Sequence, residues 1–424
     1  MRRRLSIGLT LSLGLLAIPA VSGTSCFVPG FELVEVTPPG TGGSTSTTSG
    51  MGGGDGGAGG LDPCSSARFP GPPASSDGGG DSVSFVVAFR SIDFGEEAVQ
   101  MKDGSSRPGL GYDLDGRCTC VEPGESSCVA PADDQCDGFG GIDNSISVLF
   151  ETAAAFSENF RSSYHSANAE NGDWSILVRV EGYNGLANDD QVRVSLFTSS
   201  GLNENPCYTG DDRIPDWDGS DQWPVMTASL EPLMGAGGGG GGPQIGGSGT
   251  NGTYICGDED EETKGNFSVS QPKFFDELAY VNGGILVASL PEAGLVLDGD
   301  GGAIDLTAGF LTGRLRQEAG SWFVDDGTLA GRWASRDAFV AVSSLGSGGT
   351  LCTDDTLYQT LKQAVCDAQD ITSQISGPTA PCNAVSFGMA FSAEPAQLGF
   401  VYVPEPGNDT MCPPATDPAN DTCD

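Results

Sequence analysis

Residues 173–198 read DWSILVRVEGYNGLANDDQVRVSLFT. Two apolar-alternating runs, Asp173–Glu181 and Gln191–Thr198, flank the turn cluster GYNGLANDD, with Ile176, Val178 and Val180 on one side. A period of two marks a half-buried strand, and Gly and Asn between two such runs mark a chain reversal. The stretch predicts two neighbouring strands of an antiparallel sheet.

Outward from this pair the theme continues. SVSFVVAF (82–89) is β-rich and apolar, and SISVLF (145–150) alternates polar with apolar residues. Further strands are expected at Gly284–Leu290, Gly294–Leu297, Ala303–Leu311, Ser321–Val324, Ala338–Val342, Ser386–Phe391 and Leu398–Val403. Two helices interrupt them. Over 151–165, Phe156, Phe160 and Tyr164 recur every fourth position and form an apolar stripe. In TDDTLYQTLKQAVCDAQDI, Leu357, Leu361 and Val365 do the same, with Thr353 as the cap and Asp354 and Asp355 suiting the helix dipole. The expected fold is mainly β: an antiparallel β-sandwich or jelly-roll-like body with two short helices, stabilised by disulfides.

The N-terminus, MRRRLSIGLTLSLGLLAIPAVSG, has three arginines, an apolar run and small residues. That is a secretory signal, too short for a comfortable membrane span, so residues 1–25 are expected to be a signal peptide on an exported chain. Cys26 stands where a bacterial lipoprotein signal carries its lipidated cysteine, although Gly23 replaces the usual aliphatic residue; cleavage after Gly23 is the competing reading. Parity favours lipidation. Of 13 cysteines, setting Cys26 aside leaves an even set: Cys64, Cys118, Cys120, Cys128, Cys136, Cys207, Cys256, Cys352, Cys366, Cys382, Cys412 and Cys423. These are expected to pair as disulfides. Cys352 and Cys366 lie too far apart along one helix to bridge each other, so each should staple it elsewhere, with Cys382 as a partner.

Residues 26–80, with PPGTGGSTSTTSGMGGGDGGAGG at 38–60, read as a flexible tether, and residues 81–403 as the β-rich domain. The Gly-rich stretch 234–252 either splits that domain into two subdomains or is a surface loop. Residues 404–424 read as an irregular tail closed by Cys412 and Cys423.

Acids outnumber bases 57 to 19, which repels phosphate backbones and sets nucleic-acid binding aside. Serine-type hydrolysis would fall to His165, the sole histidine, and no G-x-S-x-G elbow accompanies it. The glycine run at 237–242 lacks the lysine of a phosphate cradle, and no C-x-x-C knuckle suits zinc. Glu151, Glu158 and Glu181 have no arrangement that marks a glycosidase pair.

GYDLDGRCTC (111–120) approaches a calcium loop. With Gly116 at position 6, Asp113, Asp115 and Glu122 take positions 3, 5 and 12, but Gly111 at position 1 supplies no side-chain oxygen. DDQCDGFGGIDN (133–144) adds Asp133, Asp137, Asp143 and Asn144, so a composite calcium site is one reading and plain acidic turns the other. DWDGSDQW (216–223) sets Trp217 and Trp223 beside carboxylates, which suits either a sugar platform or core packing.

The array GYDLDG…C…CDGFGGIDNS with WSILVRVEGYNGLANDDQVRVSLF, followed by GTLAGRW…LC…Y..LK..VCDAQDI…PCNAVSFGMAF, resembles a group of predicted exported proteins of myxobacterial type. These commonly carry a lipoprotein signal and a Gly/Ser/Thr tether. The resemblance spans most of residues 81–400 and implies a cell-envelope address with no activity attached.

The expected function is therefore that of a tethered, non-enzymatic envelope protein that binds a ligand, such as a glycan, or serves adhesion. It would be anchored in outer-membrane lipid through Cys26, or else lie in the periplasm or outside the cell. A calcium-supported polysaccharide hydrolase and a structural envelope component are the alternatives.

Overall fold

The computed structural model describes residues 67–96, 110–119, 126–131, 136–138, 140–204, 214–232, 263–264, 267–296, 303–344, 350–374, 376–403 and 412–423. The signal peptide, Cys26, most of the tether, Asp133, the 234–252 stretch and Cys64, Cys120, Cys207 and Cys256 lie outside them.

The chain runs β1 (Val83–Asp93), α1 (Ile146–Ala153), α2 (Ser162–Glu170), β2 (Ser175–Tyr183), β3 (Asp189–Ser199), β4 (Gln222–Met226) and β5 (Leu230–Pro232). It continues through β6 (Thr263–Lys264), β7 (Phe267–Pro272), β8 (Phe274–Asn282), β9 (Ile285–Val296), β10 (Ala303–Glu318), β11 (Ser321–Ala334), α3 (Ser335–Ser343), α4 (Thr356–Asp367) and β12 (Ala384–Tyr402).

The expected sandwich or jelly roll is not what forms. Strands pair antiparallel in the order β1-β2-β3-β8-β9-β10-β11-β12, and β12 then pairs with β1, closing an eight-stranded barrel. Val87 lies opposite Pro395 and Phe89 opposite Ala393 across that seam. The β2–β3 pair is the one predicted, with Val178 opposite Leu196 and Val180 opposite Val194. The β8–β9 reversal is NGGI, with Gly283 and Gly284 at φ 61° and 79°, the left-handed pair that a two-residue hairpin turn of the right twist requires.

Ile176, Val178 and Val180 face an apolar core shared with Val87, Phe89, Leu290, Leu329, Phe387 and Phe391. Phe89 and Phe391 stack with ring centroids 3.7 Å apart across the closing seam. The helices feed the same core through Ile146, Phe150, Phe339, Tyr358, Leu361 and Val365. A second core forms where the outward Ala88, Leu177 and Phe197 meet Trp223, Val225, Leu230 and Val269. There β4 runs parallel to the far part of β12, and β5, β7 and β6 form a small separate sheet. Strands from both sides of 234–252 pair with one another: β3 with β8, and β5 with β7.

Four α-helices, rather than two, occur among the described residues. SISVLF and Ala338–Val342, expected as strands, lie in α1 and α3, because a short apolar run fits either state and tertiary packing decides. The 151–165 helix is broken: α1 ends at Ala153, a single tight turn covers Glu158–Phe160, and α2 starts at Ser162, which buries Phe160 and leaves Phe156 exposed. In α4 the buried stripe is Tyr358, Leu361 and Val365, with Leu357 outside, and Asp355 rather than Thr353 is the capping residue.

Three disulfides are resolved: Cys128–Cys382, Cys352–Cys412 and Cys366–Cys423. Cys118 and Cys136 are also disulfide-bonded. Cys382 therefore serves Cys128 and not the helix, and Cys412 and Cys423 do not pair with each other. They staple the C-terminal segment to both ends of α4, aided by the Lys362–Asp421 ion pair at 2.8 Å and by Arg336 Nε donating to Ala419 O.

Before β1, residues 67–82 cross the outside of the barrel as a strap. Phe69 packs on Tyr112 and Phe310; Tyr280 Oη donates to Pro70 O and Asn282 Nδ2 to Gly71 O. Asp77 exchanges hydrogen bonds with Asn188 in the β2–β3 turn. Among the described residues, no helix is long and apolar enough to cross a membrane.

Candidate functional site: an acidic two-loop centre

Two loops meet against β10–β12. In the first, Asp113 Oδ1 accepts from Gly116 N at 2.6 Å and Asp115 Oδ1 from Arg117 N at 2.8 Å. These Asx turns, with Gly116 at φ 75°, curl the loop so that its carboxylates converge. In the second loop, Asp143 is joined to the first by its own amide, which donates to Tyr112 O, and by Oδ2, which accepts from Leu114 N at 2.6 Å. Asp137 Oδ2 accepts from Thr119 N at 2.6 Å, and the neighbours of that pair, Cys118 and Cys136, are fixed in disulfides.

One oxygen from each of Asp113, Asp115 and Asp143 lies within 4.8 Å of the others. Asp137 and Asp370 complete the charge cluster. Asp370 holds Ser386 through its amide and hydroxyl, and Ser386 Oγ in turn accepts from Ser145 N. Burial, reinforced by Asp115 and Asp370, raises Asp137 to about 7. Burial first, then Asp115, Asp370 and Asp137, pushes Asp143 well above the usual carboxylate range.

Of the six residues expected to hold a cation, four come together: Asp113, Asp115, Asp137 and Asp143. Asn144 does not join them. Its Oδ1 accepts from Gly388 N at 3.0 Å and its Nδ2 donates to Phe94 O at 3.3 Å, so it ties the loop to β12 and β1. Gly388 is required beside it, because a Cβ there would strike Leu110 O and the Asn144 amide.

Sequence reasoning missed Asp370 and Arg332. Asp370 lies in CDAQDI, where no turn glycine marks it. Arg332, on β11, is 4% exposed and donates to Thr372 O and Leu114 O, pinning the acidic loop and the 370–374 segment to the wall. A charged donor to a carbonyl contributes about 1.5–3 kcal/mol. Arg332→Met, which keeps the stem and loses both bonds, is expected to destabilise by about 3 kcal/mol in a denaturant melt; a loss under about 0.5 kcal/mol would contradict the pinning role.

The tryptophans do not make a platform. Trp223 is fully buried in the second core, which rules it out as a sugar contact. Trp217 is half-buried, with Trp223 5.5 Å away and the Arg90 guanidinium 5.4 Å over its ring. Its φ of 56° is held by Asp221, whose two oxygens accept from the amides of Asp216 and Trp217. Burial raises the Asp221 carboxyl above its ordinary range.

A groove of about 380 Å³ lies where β12 leaves β1, between Phe85, Val86, Arg179, Val269 and Leu398. It is lined by no carboxylate, so it lacks the acid pair of a glycosidase. His165 is 1% exposed and packed among Phe94, Tyr164 and Trp174, out of reach of a substrate.

The three converging side chains, Asp113, Asp115 and Asp143, offer carboxylate oxygens, the donor type that hard cations take. No family model, no curated protein and no solved structure matches the chain.

Proposed function

We propose that this chain is a non-catalytic cell-envelope protein, tethered through its N-terminal region, whose barrel carries a calcium-ordered loop surface for ligand contact or adhesion. The observation that supports the calcium reading is the convergence of Asp113, Asp115 and Asp143 oxygens within 4.8 Å, with Asp137 beside them. Asp113, Asp115 and Asp143 would hold the ion directly, and backbone carbonyls or water would complete the six to eight oxygens calcium takes. The role follows from physics already described. Deprotonated and empty, the loops repel each other; a divalent cation turns that repulsion into a crosslink. The envelope address rests on the leader, the cysteine parity and the resemblance.

Calorimetric titration of calcium into chelator-treated protein tests the site. Binding is expected, weaker for magnesium, which demands near-ideal octahedral geometry, and weakened at least tenfold by Asp115→Asn. No heat and no change in melting temperature with millimolar calcium would overturn the reading. Recovery of the protein from native envelopes with a lipid on Cys26 tests the anchor.

A further inference from the structure

The seam between β1 and β12 closes only as far as Val86, which lies opposite Ala396. β1 itself starts earlier, at Val83, and keeps its β2 partner there, with Val83 opposite Tyr183 and Phe85 opposite Val180. From Gln397 onward β12 pairs with β4 instead, Gln397 opposite Gln222 and Leu398 opposite Trp223. Val83–Phe85 therefore have a ladder on one side and, among the described residues, none on the other. The β1–β2 register also shifts between Val83 and Phe85, and such a bulge turns a strand edge away from its neighbours. Exposure follows the split: Val87, Ala88 and Phe89 are fully buried, Val83, Phe85 and Val86 only partly, and Ser84 is exposed.

The groove of about 380 Å³ opens at this split, lined from β1, from the departing β12, and from β2 and β7. Its size falls within the range of about 300–1,000 Å³ common to ligand pockets. Two chemistries meet in it. An open strand edge offers main-chain N–H and C=O groups to an added strand, whose alternate side chains need apolar room. Phe85, Val86, Val269 and Leu398 supply that room. Arg179 is the one charged residue among those that line the groove. Its guanidinium is held in place: Nη1 donates to Val269 O at 3.2 Å, Nε lies 3.1 Å from Glu181, and the Phe197 ring is 5.3 Å away beneath it. A fixed planar cation beside apolar surface is a receptor for a carboxylate.

The charge of the whole molecule narrows the occupant. Acids outnumber bases 57 to 19, so a lining with an arginine and no acid is a local departure. The surrounding surface repels an acidic peptide and tolerates a neutral or basic one that carries its negative charge at the very end. Three residues of edge span about 10 Å, the reach of a chain end and not of a long strand. Two copies of a chain of net charge −38 would repel each other here.

We propose that this split in the barrel wall is a peptide-binding slot: the last residues of a partner polypeptide, neutral or basic and apolar at alternate positions, add as a short strand to Val83–Phe85 and set their C-terminal carboxylate against Arg179. The slot shares no residue with the acidic two-loop centre and does not depend on calcium.

A pool of synthetic hexapeptides randomised at the last four positions, with a free C-terminal carboxylate, tests this on the full chain beside the same pool amidated. Peptides enriched from the acid pool are expected to carry β-branched or aromatic residues at alternate positions, and amidation is expected to weaken each at least tenfold. On binding, amide exchange is expected to slow within Val83–Phe85 and to stay unchanged at Val87–Phe89. Ser84→Trp and Ser270→Trp each set a bulky ring on the groove from an exposed position. Either is expected to abolish binding with the melting temperature unchanged. No enrichment from the acid pool, equal binding of acid and amide, or slowed exchange only outside Val83–Phe85 would each overturn the slot. A change of oligomeric state in Ser84→Trp would overturn it too, because the occupant would then be a second copy of the chain.

Discussion

Phe89→Ala is expected to lower the stability of the protein by about 3–5 kcal/mol, which in a body of this size moves the melting temperature by on the order of 10 °C. Phe89 is fully buried on β1 and stacks on Phe391 of β12, and those are the two strands whose pairing closes the ring. The space opposite is tight. Gly327 on β11 leaves room for the Phe391 ring, and a Cβ there would collide with it. Truncating Phe89 therefore removes the ring that Phe391 stacks on and leaves a cavity at the seam. Phe156→Ala serves as the comparison: that ring is 55% exposed, and its loss should stay within about 0.5 kcal/mol. Equal effects from the two substitutions would show that the seam is not where the barrel is held.

In chelator, the protein is expected to melt at a higher temperature at pH 5 than at pH 8, the reverse of the usual acid sensitivity of a carboxylate-rich protein. Burial pushes the Asp137 carboxyl up to about 7 in the folded chain, from an ordinary value of 3.8, and drives Asp143 upward as well. A folded-state value above the unfolded one gives stability that is complete below the unfolded value and is lost as pH rises through the folded one. The window is therefore from about 4 to about 7 for Asp137, extending upward for Asp143. Calcium should abolish the loss by supplying the missing positive charge. At a concentration one hundred times the dissociation constant it adds about 2.7 kcal/mol. Asp143→Asn keeps an acceptor for Leu114 N and removes a charge. That variant should be more stable than the parent at pH 8 in chelator and should respond little to calcium. A melting temperature that falls steadily from pH 8 to pH 5 in chelator would remove the carboxylate cluster from this account.

The strands were legible where a β-rich run stands between turn residues. The β2–β3 pair shows this through its alternation, as does Ser82–Phe89 through its β-rich apolar composition, although both also bury residues on the outward face. Closure was not legible. A sandwich and a barrel need the same strands, and what separates them is the pairing of β1 with β12, some three hundred residues apart. Gly284–Leu290 and Gly294–Leu297 read as two strands, yet β9 runs unbroken from Ile285 to Val296. Strand β8 was passed over: FFDELAYVN carries acids that only an exposed outer wall makes tolerable.

The acidic centre was half legible for a similar reason. Asp113, Asp115, Asp137 and Asp143 announce themselves beside turn glycines. Asp370 and Arg332 arrive from an ordinary segment and a strand, and only the folded wall brings them there. Asn144 has a ligand's chemistry and a good position in sequence, but two backbone groups claim both ends of its amide.

The stapling of residues 412–423 to α4 has a bearing on proteolysis. Cys423 is covalently fastened to the helix at Cys366, and Cys412 is fastened just before it at Cys352. A single cut between Cys366 and Cys412 sheds nothing, because both pieces stay joined through sulfur. The 412–423 segment thus stays with the barrel after a cut that would release an unstapled one.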